Sequence, residues 1–130
     1  MLNHQTLRKT LIDSHATIQD DARFKSVEYQ HSRGKLTARE RIELLCDKKS
    51  FIEFGGLALP TDNNDATPSF GDALVTGLAD IEQNQVVLAV ADFTINGGSN
   101  GDVGLEKMRR CYMRAIDSGI PMVQLLEGVG

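Results

Sequence analysis

The most reactive-looking stretch of the sequence is a glycine-rich turn between an apolar run and a helical pattern. Its residues are Gly97, Gly98, Ser99, Asn100 and Gly101. Glycines let a ligand approach the backbone closely, and amides at the start of a following helix favour an anion such as a phosphate or an enolate oxygen. The spacing is not the dinucleotide fingerprint, and the Walker Lys-Ser/Thr pair is absent. On spacing alone, a purely structural turn is therefore the preferred interpretation.

A second candidate is the last stretch of the sequence, residues 127–130, which reads EGVG after an apolar run. Open α/β sheets bind ligands at the carboxyl ends of their strands, and small residues there leave two backbone amides able to face a carbonyl oxygen. That is the layout of an oxyanion hole. An ordinary strand-to-helix loop explains the same spacing and is favoured until other observations are added.

Several charged residues surround the glycine-rich turn. Asp92 and Asp102 flank it, and we predict that they cap loop ends rather than act as general bases. A cluster of positive charge is predicted on the exposed part of the following helix, where it could pair with a partner's acidic groups or with the phosphates of a ligand, although a solvated face is the simpler interpretation. The cluster consists of Lys107, Arg109, Arg110 and Arg114.

The histidines and cysteines indicate neither a metal site nor a nucleophile. His4, His15 and His31 lie in a polar segment and are predicted to be solvated. Cys46 and Cys111 each lie among apolar residues in a helical pattern, without a second ligand at metal spacing, so we predict reduced core thiols.

Composition limits the possible functions. The 130 residues, 41% of them apolar, are enough for one small domain or part of one. A net charge of −4 provides no basic face for nucleic acid or an anionic membrane. No segment has the apolar length of a signal peptide or a membrane span, so a cytoplasmic location is expected, or the mitochondrial matrix in a eukaryote.

The sequence divides into a polar arm over residues 1–33 and an incomplete domain over residues 34–130. The arm has a weak helical pattern and is expected to continue as a tether. Thr37 and Glu40 form a capping box that begins a short helix, and its apolar stripe is Ala38, Ile42 and Leu45.

An α/β arrangement is predicted for the rest of the chain. Residues 60–71 should form an exposed, mobile loop, and residues 72–81 and 85–93 should form a β-hairpin whose second strand is buried on both faces. A helix ended by Gly119 should follow the glycine-rich turn, and residues 122–126 should form a third buried strand. The apolar positions of that helix are Leu105, Met108, Tyr112, Ala115 and Ile116.

Several of these motifs, in this order, resemble the carboxyltransferase (beta) subunits of propionyl-CoA, methylcrotonyl-CoA and related biotin-dependent acyl-CoA carboxylases. The similarity begins at residues 34–42 (GKLTARERI), 44–45 (LL) and 51–53 (FIE) and continues at residues 71–77 (GDALVTG). It extends through residues 92–94 (DFT) and 97–101 (GGSNG) to Glu106-Lys107 and residues 120–123 (IPMV). Each motif is only moderately specific, but their shared order over about residues 21–130 makes coincidence a poor explanation.

The resemblance implies the N-terminal part of a crotonase-like (ClpP/crotonase) N-domain that binds acyl-CoA. It implies transfer of a carboxyl group from carboxybiotin, through an enolate held in an oxyanion hole whose backbone donors are Val129 and Gly130. It also implies that Gly97, Gly98, Ser99, Asn100 and Gly101 bind acyl-CoA. The implied cofactor is biotin on a partner carrier protein, with no metal, and the implied partners are a biotin carboxylase or biotin carrier subunit and further copies of the carboxyltransferase subunit.

The sequence also departs from the family. The loop at residues 127–130 usually reads Asp-Ser, then Gly or Ala, then Gly, so a branched Val129 crowds a position where small residues are usual. Family members are several times longer, and we expect the isolated 130-residue chain to be inactive. Two alternatives stay open: a non-catalytic binding or assembly module (or truncated remnant) of the family, and a subunit of a decarboxylase acting on malonyl-type CoA esters.

Overall fold

The computed structural model describes residues 3–63 and 68–128. Helix α1 (His4–Thr17), a 3₁₀ turn (Asp20–Ala22) and helix α2 (Phe24–Ser32) precede helix α3 (Ala38–Leu45). Strands β1 (Ile52–Phe54), β2 (Leu74–Ile81) and β3 (Asn84–Ala91) follow. A 3₁₀ turn (Asn96–Gly98), helix α4 (Asp102–Ser118) and strand β4 (Met122–Leu125) complete the described elements.

The described strands form one mixed sheet in the order β1-β2-β3-β4. β1 and β3 are antiparallel to β2, whereas β4 runs parallel to β3 with Val87 opposite Met122. The return from β3 to β4 through the glycine-rich turn and α4 is a βαβ crossover. The carboxyl ends of β3 and β4 therefore lie side by side at one edge of the sheet.

Helices cover both faces of β3, which explains why this strand is apolar on both sides. Val86, Leu88 and Val90 pack toward Ala38 and Ile42 of α3. The alternate residues Val87 and Ala89 pack on the other face, where Cys111 of α4 is buried with them. The core thus confirms the predicted doubly covered strand and the predicted burial of Cys111.

Three local predictions are confirmed in detail. Thr37 accepts a hydrogen bond from the Glu40 amide, and the Glu40 carboxylate accepts one from the Thr37 amide, so the capping box begins α3. The hairpin turns at Glu82 and Gln83, both with positive φ, as a type I′ connection requires. Gly119 ends α4 in the left-handed conformation.

Other elements differ from the sequence-based expectation. The segment expected to be a tether is helix α2, and β1 was not predicted. β4 is half-buried rather than fully buried, because among the described strands none pairs with its outer edge. In the loop predicted over residues 60–71, Pro60 and Gly71 are buried, while residues 64–67 lie outside the described part.

The inward face of α4 differs in part from the predicted one. Its buried residues are Gly104, Lys107 and Cys111. Of the predicted apolar positions, Met108 and Ala115 pack against the core, whereas Leu105, Tyr112 and Ile116 are exposed. Positions 104, 107 and 111 share a helical face, but a glycine and a lysine on that face do not register as an apolar pattern. Within the described residues, no helix has the length and apolar character needed to cross a bilayer.

Candidate functional site

The candidate site lies where β3 and β4 end and two loops begin. After β3, the Asp92 side chain accepts hydrogen bonds from the Thr94 amide (3.0 Å) and the Thr94 hydroxyl, which forms a tight turn at the loop start. The chain then passes through positive φ at Asn96, Gly97 and Gly98. Asp92 is therefore a loop-capping residue, as its position in the sequence predicted.

The two loops meet at the backbone. A Cβ atom added to Gly98, whose φ is +80°, would lie 2.3 Å from the Glu127 carbonyl oxygen. Only a residue without a side chain permits this approach. The glycine loop (residues 94–101) consequently packs directly against the first residues of the loop that follows β4.

The start of α4 is closed by a residue that the sequence analysis did not single out. The buried Asp72 carboxylate accepts hydrogen bonds from the amides of Gly101 (2.9 Å) and Gly104 (2.6 Å). Both amides are therefore paired within the protein and are not free for an anion of a ligand. A carboxylate supplied by the turn before β2 satisfies the helix N-terminus instead.

Asp72 was difficult to recognise because it is far from α4 in sequence. Gly71, Asp72 and Ala73 all have positive φ, and this left-handed turn directs the carboxylate toward the helix start. A Gly-Asp pair before a strand was the available signal, but the pairing to α4 requires the fold. Asp102, at the first position of α4, accepts hydrogen bonds from the Thr61 hydroxyl and amide, which lower the pKa of its carboxyl.

The Glu127 side chain is fixed by a cluster of donors. Gln30 donates to both carboxylate oxygens at 3.0 Å, Lys35 lies at 3.1 Å and Arg41 at 3.7 Å. Burial would raise the pKa of Glu127, but the hydrogen bonds from Gln30 and Lys35 outweigh it, so the pKa is below its ordinary value. The carboxylate that begins the second loop is thus charged and anchored.

The residues assigned to the oxyanion hole, Val129 and Gly130, lie outside the described residues. Their neighbour Gly128 is exposed, as are Ser99 and Asn100 of the glycine loop. Among the described residues, the carboxyl ends of β3 and β4 are therefore followed by exposed loop positions. The assignments of Gly97 through Gly101 to acyl-CoA and of the two amides to an oxyanion stay predictions.

The predicted cationic cluster on α4 is not wholly exposed, because Lys107 is only 6% exposed. Its ammonium donates to the carbonyls of Gly71 (2.8 Å) and Leu74. Burial lowers the pKa of Lys107 to about 8, against the opposing influence of Glu53, Cys111 and Asp72. Lys107 is not a surface charge, because its hydrogen bonds join α4 to the turn before β2.

The arginines of α4 are exposed, but each contacts a side chain of the protein. Arg109 and Arg110 pair with Glu106 at 2.7 and 3.1 Å and lower its pKa to about 2. Arg114 lies over the Phe54 ring.

His31, predicted to be merely solvated, is 2.8 Å from Glu40 and reinforces the start of α3. Among residues 3–63 and 68–128, no group of three or more His, Cys, Asp or Glu could hold a metal ion.

The fold of this chain is similar to parts of solved carboxylase and transcarboxylase structures. The chain aligns over its full length with transcarboxylase 12S crystallised with methylmalonyl-coenzyme A and methylmalonic acid bound, at a TM-score of 0.87 and 30% identity, covering 26% of that chain. A single-chain, multi-domain long-chain acyl-CoA carboxylase aligns at a TM-score of 0.86 and 29% identity, over 98% of this chain and 14% of the other. The fold is the predicted α/β crotonase-like fold of carboxyltransferase domains.

Sequence comparison gives the same result. The propionyl-CoA carboxylase beta chain of Saccharopolyspora erythraea is 38% identical over 109 residues, covering 82% of this chain and 20% of the relative. The mitochondrial propionyl-CoA carboxylase beta chain of Homo sapiens is 35% identical over 114 residues, covering 82% of this chain and 21% of the relative. The chain spans about one fifth of the length of these relatives.

The sequence model of the protein family described as the carboxyl transferase domain matches residues 29–130 of this chain. These residues include α3, the whole described sheet and both loops of the candidate site. The chain therefore belongs to the carboxyl transferase domain family of biotin-dependent acyl-CoA carboxylases.

Proposed function

We propose that this chain forms part of the acyl-CoA site of a biotin-dependent acyl-CoA carboxyltransferase. The observation that supports this most directly is the contact between the glycine loop and Glu127, which joins the two loops at the carboxyl ends of parallel strands. The relatives are acyl-CoA carboxylase subunits, and the transcarboxylase structure carries a methylmalonyl-CoA ligand.

In this proposal the chain's role is to bind the thioester and stabilise negative charge. Gly97 through Gly101 of the glycine loop pack along the acyl-CoA, and the amides of Val129 and Gly130 donate to the thioester oxygen. Those donors are worth most when the oxygen becomes an enolate after loss of the α-proton, because the charge is then greatest. The α-carbon of the acyl group would then bond to the carboxyl carbon as the bond between that carbon and the biotin nitrogen breaks, and the α-proton would be accepted by biotin or by a nearby base.

Biotin, carried by a partner protein, would supply the carboxyl group when bound. The exposed Ser99, Asn100 and Gly128 leave the edge accessible, which is compatible with a group delivered from outside, and we assign no residue of this chain to hold it. A biotin carboxylase or biotin carrier subunit and further carboxyltransferase subunits are the proposed partners. The proposed location is the mitochondrial matrix in a eukaryote, which fits the mitochondrial human relative, and the cytoplasm otherwise.

The test uses the full polypeptide that the gene encodes, assayed in reverse with methylmalonyl-CoA and free biotin. The expected result is biotin-dependent conversion to propionyl-CoA, which chromatography of the CoA esters measures. Conversion at the same rate without biotin would instead support a malonyl-type decarboxylase. No conversion of either kind would contradict the proposal. The isolated 130-residue chain is expected to be inactive in the same assay.

Two variants of one residue test the proposed backbone donor. Val129→Pro removes the amide hydrogen and is expected to lower kcat by about 10²- to 10³-fold, the usual effect of losing one oxyanion donor. Val129→Ala keeps the amide and serves as the matched control, with kcat within about threefold of the parent protein on the same grounds. Equal losses in both variants would count against an amide donor at this position.

A further inference from the structure

Both loops of the candidate site begin with an acidic residue held from the N-terminal part of the chain. Asp92, directly after β3, pairs with Arg23 at 3.1 Å. Glu127, two residues after β4, is held by Gln30, Lys35 and Arg41. The segment expected to be a tether thus contacts the start of each loop.

Gln30 is the centre of this arrangement. It is 1% exposed, and besides its two bonds to Glu127 it donates to the Leu36 carbonyl at 3.1 Å. Its side-chain oxygen accepts a hydrogen bond from Arg33 at 3.3 Å. The Arg33 guanidinium lies 4.1 Å from the centre of the Phe93 ring, directly beside Asp92. One buried amide therefore connects the starts of both loops.

Arg41 makes a second connection between the same two points. It donates to the carbonyl of Ala91, the last residue of β3, at 2.6 Å, and lies 3.7 Å from the Glu127 carboxylate. A guanidinium has donors in fixed directions, so it sets the separation of the two groups it contacts. The end of β3 and the start of the second loop share this one side chain.

We propose that Gln30, Arg33, Lys35 and Arg41 form a positioning clamp that sets the spacing of the two site loops. This inference rests on the proposed function: the clamp orients the glycine loop and the segment whose amides receive the enolate. Gln30 is a positioning residue in this account, since it acts through Glu127 and Phe93 and not on the substrate. A misplacement of about 1 Å at a catalytic group costs on the order of 10²-fold in rate, so such a clamp has measurable consequences.

The test places a second carboxylate in the clamp. In the full-length protein, Gln30→Glu would face Glu127 across the 3.0 Å separation and repel it. We expect kcat of the reverse reaction to fall by about 100-fold while KM for the CoA ester changes by less than about threefold, because the loss falls on the transition state. The double variant Gln30→Glu with Glu127→Gln exchanges acceptor and donor and keeps one carboxylate in the clamp. It should recover most of the lost kcat.

Gln5→Glu is the matched control, because it makes the same chemical change at an exposed position of α1. It should leave kcat unchanged. Parent-like kcat in Gln30→Glu, or a double variant with kcat no higher than that of Gln30→Glu, would overturn the clamp. If Gln30→Glu does not fold, Gln30→Met removes the donors without adding charge and should show the same loss of kcat, with parent-like kcat again overturning the clamp.

Hydrogen exchange separates failure of the clamp from failure of the proposed function. If the full-length protein has no carboxyltransferase activity, the proposed function fails, but the clamp still predicts faster exchange of residues 92–101 and 127–130 in Gln30→Glu than in Gln5→Glu. Unchanged exchange in both segments would overturn the clamp whether or not the protein is active.

Discussion

At the scale of single residues, burial decides which charges can act at the surface. Lys107 is enclosed by α4 and the turn before β2, where two backbone carbonyls solvate its ammonium. The exposed Arg109 and Arg110 on the same helix instead share one partner, Glu106. The helix therefore presents less unpaired positive charge than its sequence contains.

The depressed pKa of Lys107 predicts a pH dependence of stability. Below about pH 8 folding buries a charge, whereas between the folded pKa of about 8 and the ordinary value of 10.5 the unfolded state binds more protons. Stability due to this group therefore rises with pH in that window. The parent chain should gain about 2 kcal/mol in unfolding free energy, relative to Lys107→Met, between roughly pH 7 and pH 9.5.

Urea unfolding at a series of pH values measures this difference. Lys25→Met removes an exposed lysine of α2 and should show a constant difference from the parent chain. A constant difference for Lys107→Met as well would mean that the Lys107 pKa is not depressed in the folded state.

Gly98 carries a second residue-scale prediction. Alanine at Gly98 would have to tolerate a φ of +80° and a Cβ placed 2.3 Å from the Glu127 carbonyl oxygen. Gly34→Ala is the control, because its φ is +71° and no heavy atom lies within 4 Å of the added Cβ. We expect Gly34→Ala to cost about 1 kcal/mol from the left-handed backbone, and Gly98→Ala about 2 kcal/mol more from the clash.

Chemical denaturation of both variants provides the measurement. Equal destabilisation by Gly98→Ala and Gly34→Ala would show that the two loops separate freely. The contact between the glycine loop and the segment after β4 would then not support a joint site.

At the scale of elements, sequence signals succeeded where the determining interactions are local. The capping box of α3 joins residues three apart, and the β-hairpin is set by alternation and a short turn, so both were predictable. Asp72 caps a helix that begins 30 residues later, and Gln30 meets a carboxylate 97 positions away. No spacing rule connects such partners, because only the sheet brings them together.

The cap of α4 by Asp72 is the element-scale prediction. Asp72→Asn removes a negative charge from the helix N-terminus and should destabilise the protein by about 1 kcal/mol, within the range for caps and dipole interactions. Asn tolerates the positive φ of this position, so backbone strain is not added. The amides of Gly101 and Gly104 should exchange faster with solvent, which hydrogen-exchange mass spectrometry or NMR can follow.

Asp117→Asn is the matched control at the opposite end of the same helix. An acidic residue there opposes the helix dipole, so the same substitution should be neutral or slightly stabilising. If both variants are destabilised equally, the effect of Asp72 would not come from its place at the helix start.

At the scale of the whole molecule, the described part leaves apolar surface without a cover. On α4, Leu105 is 67% exposed and Ile116 is 72% exposed, and Leu126, directly after β4, is 72% exposed. Apolar patches and open strand edges favour association with another chain. The relatives, about five times longer, contain additional sequence that this segment does not.

We therefore expect the isolated 130-residue chain to be marginally stable or to self-associate. Sedimentation velocity over a range of concentrations should show species larger than 14.3 kDa that dissociate on dilution. Ile116→Lys should reduce association because it places a charge in the exposed patch and suits the C-terminal turn of α4, whereas Gln5→Lys adds the same charge on α1 and should not. A monomer at all concentrations with a sharp, reversible melt would show instead that this segment is a self-sufficient domain, and the exposed face of α4 would then need no partner to explain it.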